Sequence, residues 1–332
     1  MTTVRTHSPG AMLLRLLALV LLALLVLAVA LLAGSAGLSP ARIVTALVTG
    51  GDPTARAVLL ELRLPRVLAA FGVGSSLALT GVLLQALFRN PLADPFVLGV
   101  SGGAAAGALS AMLLGATLAG SQAGAVGGAL VAILLVQLLA RGGGTARLLL
   151  TGVVIASACG ALVSVLLAIA DSNQLRGMVF WLAGDLGWAG NPTLSLGAAA
   201  LAAAGSIALA RPLNVLASGE LRARTVGLDV DRWRPLLFLV CAALTAIAVV
   251  SAGTIGFVGL VTPHAVRLLY GTSDHRVVAP ASAILGGTLV ALADLVARTA
   301  VSPRQLPVGA IMALVGAPLF ITLLRSASRG TN

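Results

Sequence analysis

Residues 87–108 read LFRNPLADPFVLGVSGGAAAGA, and this stretch decides how the chain divides into helices. It interrupts two long apolar runs with five polar or helix-breaking residues: Arg89, Asn90, Pro91, Asp94 and Pro95. Proline cannot continue a helix without losing a backbone hydrogen bond, and the residue before a proline is disfavoured in helical geometry. The stretch therefore predicts that one helix ends near residue 90 and another begins after residue 95.

The composition predicts a membrane protein. The chain has 332 residues, of which 59% are hydrophobic and only 9% are charged, and its mean hydropathy is +1.07. Soluble domains carry about 25% charged residues, whereas apolar runs of about 20 residues, which recur here, are typical of membrane spans. We predict one all-α polytopic membrane domain over residues 1–332. Cys159 and Cys241 lie in apolar runs, which favours buried thiols over a disulfide.

Ten membrane spans are predicted, the eighth being short for a full crossing. The uncharged run 16–33 is longer than the core of a signal peptide, which is about 7–15 residues, and favours a retained first helix. Residues 174–186 are mixed in polarity and predict an external interfacial or re-entrant helix. The spans lie near residues 11–33, 67–88, 96–119, 123–140, 148–170, 193–210, 235–252, 257–270, 277–300 and 305–324.

The arginines predict the orientation. Ten spans place both termini on one side of the membrane and divide the 21 basic residues, all of them arginine, 14 to 7 between the two sides. Since positive residues concentrate in cytoplasmic loops, we predict cytoplasmic termini in a cell inner (plasma) membrane. The exception is a cluster on one external segment, which calls for an acidic partner: Arg42, Arg56, Arg63 and Arg66.

The residues alone leave the function open. Irregular backbone at membrane depth is tolerated only beside protein or a water-filled cavity, so the turn at 90–95 is either a simple connection or part of a pathway or gate. The sequence contains no phosphate-binding G-x-x-x-x-G-K-[ST] loop and no lysine, so ATP-driven transport would need another chain. An ion-driven transporter would need acids near mid-span, where Asp294 alone lies, and a membrane enzyme would need a cluster of catalytic polar residues.

Three long stretches carry a resemblance that covers nearly the whole chain in order. They are LRLPRVLAAFGVGSSLALTGVLLQALFRNPLADPFVLGVSGGAAAG (62–107), GTIGFVGLVTPHAVRLLYGTSDHR (253–276) and ADLVARTAVSPRQLPVGAIMALVGAPLFITLL (293–324). They resemble the FecCD-type permeases of type II ABC importers, which take up ferric siderophores, haem and vitamin B12. The resemblance implies ten helices, a second permease subunit, identical or related, two cytoplasmic ATPases that bind ATP and Mg²⁺, and an external substrate-binding protein. It implies no cofactor on this chain.

The resemblance also implies functional residues at both ends of the spans. Asn90 and Leu92 match one part of a cytoplasmic gate, and Thr145 and Ala146 match the other. Arg63, Arg66 and Arg298 match arginines that receive acidic residues of the binding protein. The alternative for Arg298 is an ion pair with Asp294, four residues earlier, and both readings can hold together.

The cytoplasmic loop 211–234 resembles the family's coupling helices, which contact the ATPase; the alternative is a solvated connection. Ser218 is expected to cap a short helix, Glu220 and Arg224 to share one face of it, and Gly227 to end it. On the coupling interpretation, Glu220, Arg224 and Gly227 form the contact.

Other expectations concern the segment after residue 252 and the cargo. Residues 256–263 are expected to form a tight, non-helical approach, and His264 to have a structural role. Ferric siderophores are the commonest cargo of the family and lead as the expected substrate. Vitamin B12 and haem stay open as alternatives.

Overall fold

The structure, a computed structural model, describes residues 9–34, 39–49, 52–188 and 191–329. Arg5, which enters the orientation argument, lies outside these residues. Within them the fold is helical, with a π-helical turn at Val58–Arg63 and 3₁₀ turns at Pro95–Leu98 and Leu186–Trp188. The α-helices are α1 (Pro9–Leu32), α2 (Pro40–Thr49), α3 (Pro53–Ala57), α4 (Leu64–Phe88), α5 (Val100–Leu113), α6 (Leu118–Leu139), α7 (Thr145–Ile169), α8 (Ser172–Leu182), α9 (Thr193–Ala208), α10 (Ala210–Ala217), α11 (Glu220–Thr225), α12 (Val230–Ala252), α13 (Val258–Tyr270), α14 (His275–Thr299) and α15 (Val308–Arg329).

Each of the ten predicted spans corresponds to a helix, although the number of full crossings is approximate. Six helices in the described residues are long and apolar enough to cross a membrane, and α9 with α10, bent by 74°, would make a seventh. Helices α5 and α15 are apolar but shorter, and α13 has only 13 residues. The all-helical polytopic fold is therefore confirmed.

Helix α4 is the central element of the fold. Every residue from Gly72 to Leu87 is buried, and α4 packs against α9, α12, α13 and α14. A helix that is apolar on all sides is stable only where other protein or lipid surrounds it. Helix α4 is rich in Gly, Ala and Ser, which let neighbouring backbones approach. By contrast, α1 exposes large side chains such as Leu14 and Leu21, which suit contact with lipid tails.

Glycines set the closest helix contacts. A Cβ atom added to Gly128 of α6 would lie 2.1 Å from the carbonyl oxygen of Gly103 in α5, and one added to Gly107 would lie 2.0 Å from that of Gly124. The small-residue run of the opening stretch thus packs closely against a neighbour, as predicted. A Cβ on Gly81 of α4 would likewise lie 1.9 Å from the oxygen of Gly259 in α13.

Two local expectations need correction. Only the first part of 256–263 is non-helical, because α13 begins at Val258 and continues through Pro263. Phe257 adopts a left-handed φ of 68° immediately before the helix. Ser218 does not cap α11; Gly219 occupies the cap position without a side-chain bond, and the Ser218 hydroxyl donates to the Val215 carbonyl at 2.7 Å.

We predict that Gly128→Val destabilises the chain by about 3 kcal/mol, because its side chain would meet the backbone of α5 and overpack the contact. The adjacent substitution Gly127→Val is the matched control, since a Cβ there meets nothing within 4 Å. Thermal unfolding in detergent compares the two variants. Equal melting temperatures for them would contradict the close-packing account.

Candidate functional site

Polar side chains gather at the two ends of α4. At its N-terminal end, predicted to be external, the Asp294 carboxylate is wholly buried. It lies 2.9 Å from Nη2 of Arg66 and 2.9 Å from Nε of Arg298. The ion-pair interpretation of Arg298 is therefore confirmed. The Asp294 carboxylate therefore joins α4 to α14. Arg66 also donates to Oε1 of Gln305 at 2.9 Å, which attaches the loop that follows α14 to α4.

Arg63 and Arg298 also donate hydrogen bonds to the last backbone carbonyls of α1. The Arg63 Nη1 group donates to the carbonyls of Leu31 and Leu32 at 2.9 and 2.8 Å, and Nη2 of Arg298 donates to Ala30 at 3.3 Å. The last carbonyls of a helix have no partner within it, and the negative end of its dipole favours a cation. The arginine cluster (Arg63, Arg66, Asp294 and Arg298) therefore joins α1, α4 and α14.

Burial limits what this cluster can offer to a partner. Arg63 and Arg298 are each only 4% exposed, although a cavity of about 320 Å³ opens beside the three arginines. The Nη2 group of Arg63 is buried and makes no hydrogen bond to the described residues. This unpaired donor has no accessible surface, and the other two arginines are already paired with Asp294. Docking of a binding protein here stays a prediction.

The C-terminal end of α4 leaves helical geometry as predicted. Arg89 ends the helix in a left-handed conformation with φ 50°. The Asn90 side chain then accepts a hydrogen bond from the Leu92 N–H at 2.9 Å, and Asp94 accepts one from Phe96 at 2.9 Å. Side chains of this type stabilise turns by bonding the backbone two residues on. Leu92 is 50% exposed at the tip.

The second predicted gate segment lies beside the end of α4. Thr145 and Ala146 open α7, and with Arg89 they line a cavity of about 460 Å³ that Glu220 and Arg234 also line. Asn90 and Leu92 are not among its lining residues. The structure therefore brings Thr145 and Ala146 together with Arg89 and the coupling segment rather than with the turn's tip. The gate role of all four residues stays a prediction.

The predicted coupling segment is a compact charged unit. Glu220 and Arg224 pair at 3.1 Å, which confirms their shared face, and Gly227, with φ 85°, donates from its N–H to the Arg224 carbonyl at 3.0 Å. Two residues that we had not predicted complete it: Asp231 lies 2.9 Å from Arg224, and Arg234 lies 2.9 Å from Glu220. This charge network (Glu220, Arg224, Asp231 and Arg234) fastens α11 to the start of α12.

A second polar link joins the coupling segment to α14. Asn214 of α10 donates to the Asp274 carboxylate at 2.9 Å and accepts from the backbone N–H of His275 at 3.0 Å. Asp274 also caps α14 through the N–H of Arg276. His264, expected to be structural, packs edge-on against Phe320 with the ring centroids 6.3 Å apart.

These features define a polytopic helical membrane protein whose central helix carries a polar cluster at each end. Residues 20–326 match the FecCD transport family, and the chain belongs to this family. It is 43% identical over 288 residues to the cobalamin import system permease protein BtuC of Halobacterium salinarum, covering 83% of this chain and 75% of that one. It is 41% identical over 276 residues to the vitamin B12 import system permease protein BtuC of Klebsiella pneumoniae, covering 81% and 83%.

Comparison with solved structures supports the same family. An inward-facing structure described as a metal-chelate type ABC transporter superposes with a TM-score of 0.83 at 34% identity, over 94% of this chain and 98% of that one. PsaBC from Streptococcus pneumoniae, at 19% identity and a TM-score of 0.56, shows likeness of fold alone. The chain is thus a permease subunit of an ABC importer.

We predict that Asp294→Asn destabilises the chain by about 3–5 kcal/mol, since it leaves the buried Arg298 without a counter-charge and leaves Arg66 with only Asp185, 3.9 Å away. The control is Asp52→Asn, which removes the more exposed Arg42–Asp52 pair at 2.7 Å and should change the melting temperature little. Thermal unfolding in detergent measures both. A loss from Asp294→Asn no larger than that of the control would refute the role of Asp294 in joining α4 to α14.

The turn should also make stability depend on pH. Burial raises the pKa of the Asp94 carboxyl from 3.8 to about 6, although the hydrogen bond from Phe96 opposes the shift. A raised carboxyl pKa stabilises the fold fully below the unfolded value, and this contribution is lost as pH rises to the folded value. Asp94→Asn, which keeps the turn's acceptor, should flatten the melting temperature across this window. Parallel pH profiles for variant and wild type would contradict it.

Proposed function

We propose that this chain is the permease subunit of an ATP-driven importer of vitamin B12 (cobalamin). The observation that carries the proposal is the cobalamin function named for the two relatives, which are 43% and 41% identical over more than four fifths of this chain. The siderophore expectation has no comparable support among these relatives. Cobalamin, an alternative to siderophores on the sequence resemblance, is the better-supported cargo.

The proposed assembly contains a second permease subunit, two separate ATPase subunits and an external binding protein. Family membership supports these partners, and the absence of a phosphate-binding loop from the sequence supports a separate ATPase. In this assembly the charge network would move with the ATPase and carry that motion to α12. Docking of the binding protein would have to uncover the buried, unpaired donor of Arg63, which could then receive an acidic residue.

Ion-driven transport is the second candidate, and Asp294 is the feature that decides against it. An ion-coupling carboxylate must exchange its cation during the cycle. Here each Asp294 oxygen faces an arginine at 2.9 Å. Because removing one member of a buried pair costs about 3–5 kcal/mol, this carboxylate is better suited to fastening helices than to binding a transported ion.

The cargo is tested by uptake in a strain that lacks its own cobalamin permease. We expect this chain, expressed with its partner genes, to restore uptake of labelled cobalamin and to leave ferric-siderophore and haem uptake at the level of empty vector. A catalytically inactive partner ATPase is the control, since it should abolish uptake. Restored siderophore uptake without cobalamin uptake would return the cargo to our first expectation.

We also predict that Arg234→Gln uncouples transport from ATP hydrolysis, because α11 would lose its attachment to α12 through Glu220. The matched control is Arg232→Gln on the same helix, where the side chain is 88% exposed and pairs only with Asp229 among the described residues. In reconstituted vesicles, cobalamin moved per ATP hydrolysed should fall severalfold in the first variant alone. An unchanged ratio would mean that the network does not transmit motion.

A further inference from the structure

An apolar groove runs along the outside of the helical bundle between α9 and α12, with a cavity volume of about 450 Å³. Its floor is Leu83 of α4, and its walls extend along α12 from Trp233 to Ile247. These 14 residue steps correspond to about 21 Å at 1.5 Å per residue. One leaflet contributes about 15 Å to the hydrocarbon core, so the groove is long enough to hold an extended acyl chain.

The end of the groove at Trp233 has the chemistry of a membrane surface. Helix α9 turns by 74° into α10 there, so the chain leaves the direction of the span at the level where Trp233 lies. Tryptophan is enriched at the boundary between lipid tails and water. Arg232, whose side chain is 88% exposed, precedes Trp233 and lies four residues before Leu236, on the same face of α12 as that groove residue.

The segment beside this end is basic. Residues 211–234 contain five arginines and three acidic residues, a net charge of +2. The Arg232 guanidinium pairs with Asp229 at 2.8 Å through Nε. Within the part of the chain that the structure describes, its other N–H groups make no hydrogen bond and can act as donors. Basic surfaces at the ends of membrane helices attract anionic headgroups. The two parts of the groove therefore match the two parts of one ligand.

We propose that the groove binds one acyl chain of an anionic phospholipid, with the headgroup at Trp233 and Arg232. A second copy of this chain would have to insert a convex apolar ridge into a slot with arginine at one end. A lipid supplies both a flexible tail and a negative charge. Of the conclusions above, the proposal requires only that the chain lies in a membrane. It does not depend on which cargo is carried.

Glycine substitutions give a matched test on one helix. Gly205 lines the groove, whereas Gly197 of α9 is not among its lining residues, and an added Cβ meets nothing within 4 Å at either position. Gly205→Leu would therefore fill the groove, and Gly197→Leu would add the same side chain outside it. Native mass spectrometry after exchange into detergent, with phosphatidylglycerol or phosphatidylethanolamine added, counts the retained lipid.

We expect the wild type and Gly197→Leu to retain one phosphatidylglycerol and to prefer it to phosphatidylethanolamine. Gly205→Leu should lose this lipid, and Arg232→Gln should lower the preference about fivefold, the loss typical of one basic contact. Equal retention in both leucine variants, or no preference in the wild type, would overturn the proposal. A change of oligomeric state confined to Gly205→Leu would assign the groove to a second copy instead.

A crosslinking measurement on the wild type keeps the test independent of how the variants fold. Phosphatidylglycerol with a photoreactive group in its acyl chain should label peptides of α9 and α12. Labelling spread evenly over the exposed leucines of α1 would show only general lipid contact and would overturn the specific site.

Discussion

The close packing of α4 is the constraint on which the rest of the structure depends. In lipid no hydrophobic effect drives helices together, so contact must come from shape, and glycine gives the closest approach. Gly74 and Gly81 bring the backbones of α14 and α13 against α4, and the Ser75 hydroxyl donates to Ala283 of α14 at 2.8 Å. A helix held in this way is tightly fixed to its neighbours. Its 25 residues span about 37 Å, which is the distance between the polar clusters at its two ends.

The polar clusters near the two ends of α4 differ in how far they are exposed. At the arginine cluster the charges are buried and shared, so the attachment is strong only while every partner is present. Near the opposite end the charge network is exposed to water except at Arg234, and salt screens its exposed pairs. The first arrangement suits a fixed joint between helices. The second suits a surface that must rearrange when a partner moves against it, which is the demand on a coupling segment.

The sequence predicted where the helices lie better than it predicted whether each helix faces protein or lipid. Apolar run length and the prolines of the turn at 90–95 located all ten helices, because these signals are local. Whether an apolar helix faces protein or lipid was less evident, since α1 and α4 are both apolar on all sides. Only the contrast between leucine in α1 and small residues in α4 carries that information.

The contacts of the candidate site likewise divide into those that local spacing predicts and those that depend on the tertiary fold. The pairs Glu220–Arg224 and Asp294–Arg298 are four residues apart on one helix, so their spacing was enough. The pairs Arg66–Asp294 and Glu220–Arg234 join residues that only the tertiary fold brings together, and no local spacing marks them. The burial of Arg63 could not be foreseen either, because it arises from the end of α1, some 30 positions earlier in the chain.

Cargo identity has a different physical basis from both fold and site. Helix α7 carries Thr145 and Ala146 at its start, yet little of its most apolar stretch is buried within this chain. A permease of this kind is proposed to act as a pair, so such a face can meet lipid, a second subunit or the cargo. The side chains that select a cargo would then belong to a surface that two chains form together. Relatives with the same cargo would keep that composite surface similar, which is why likeness over most of the chain carries more weight for cobalamin than any single residue.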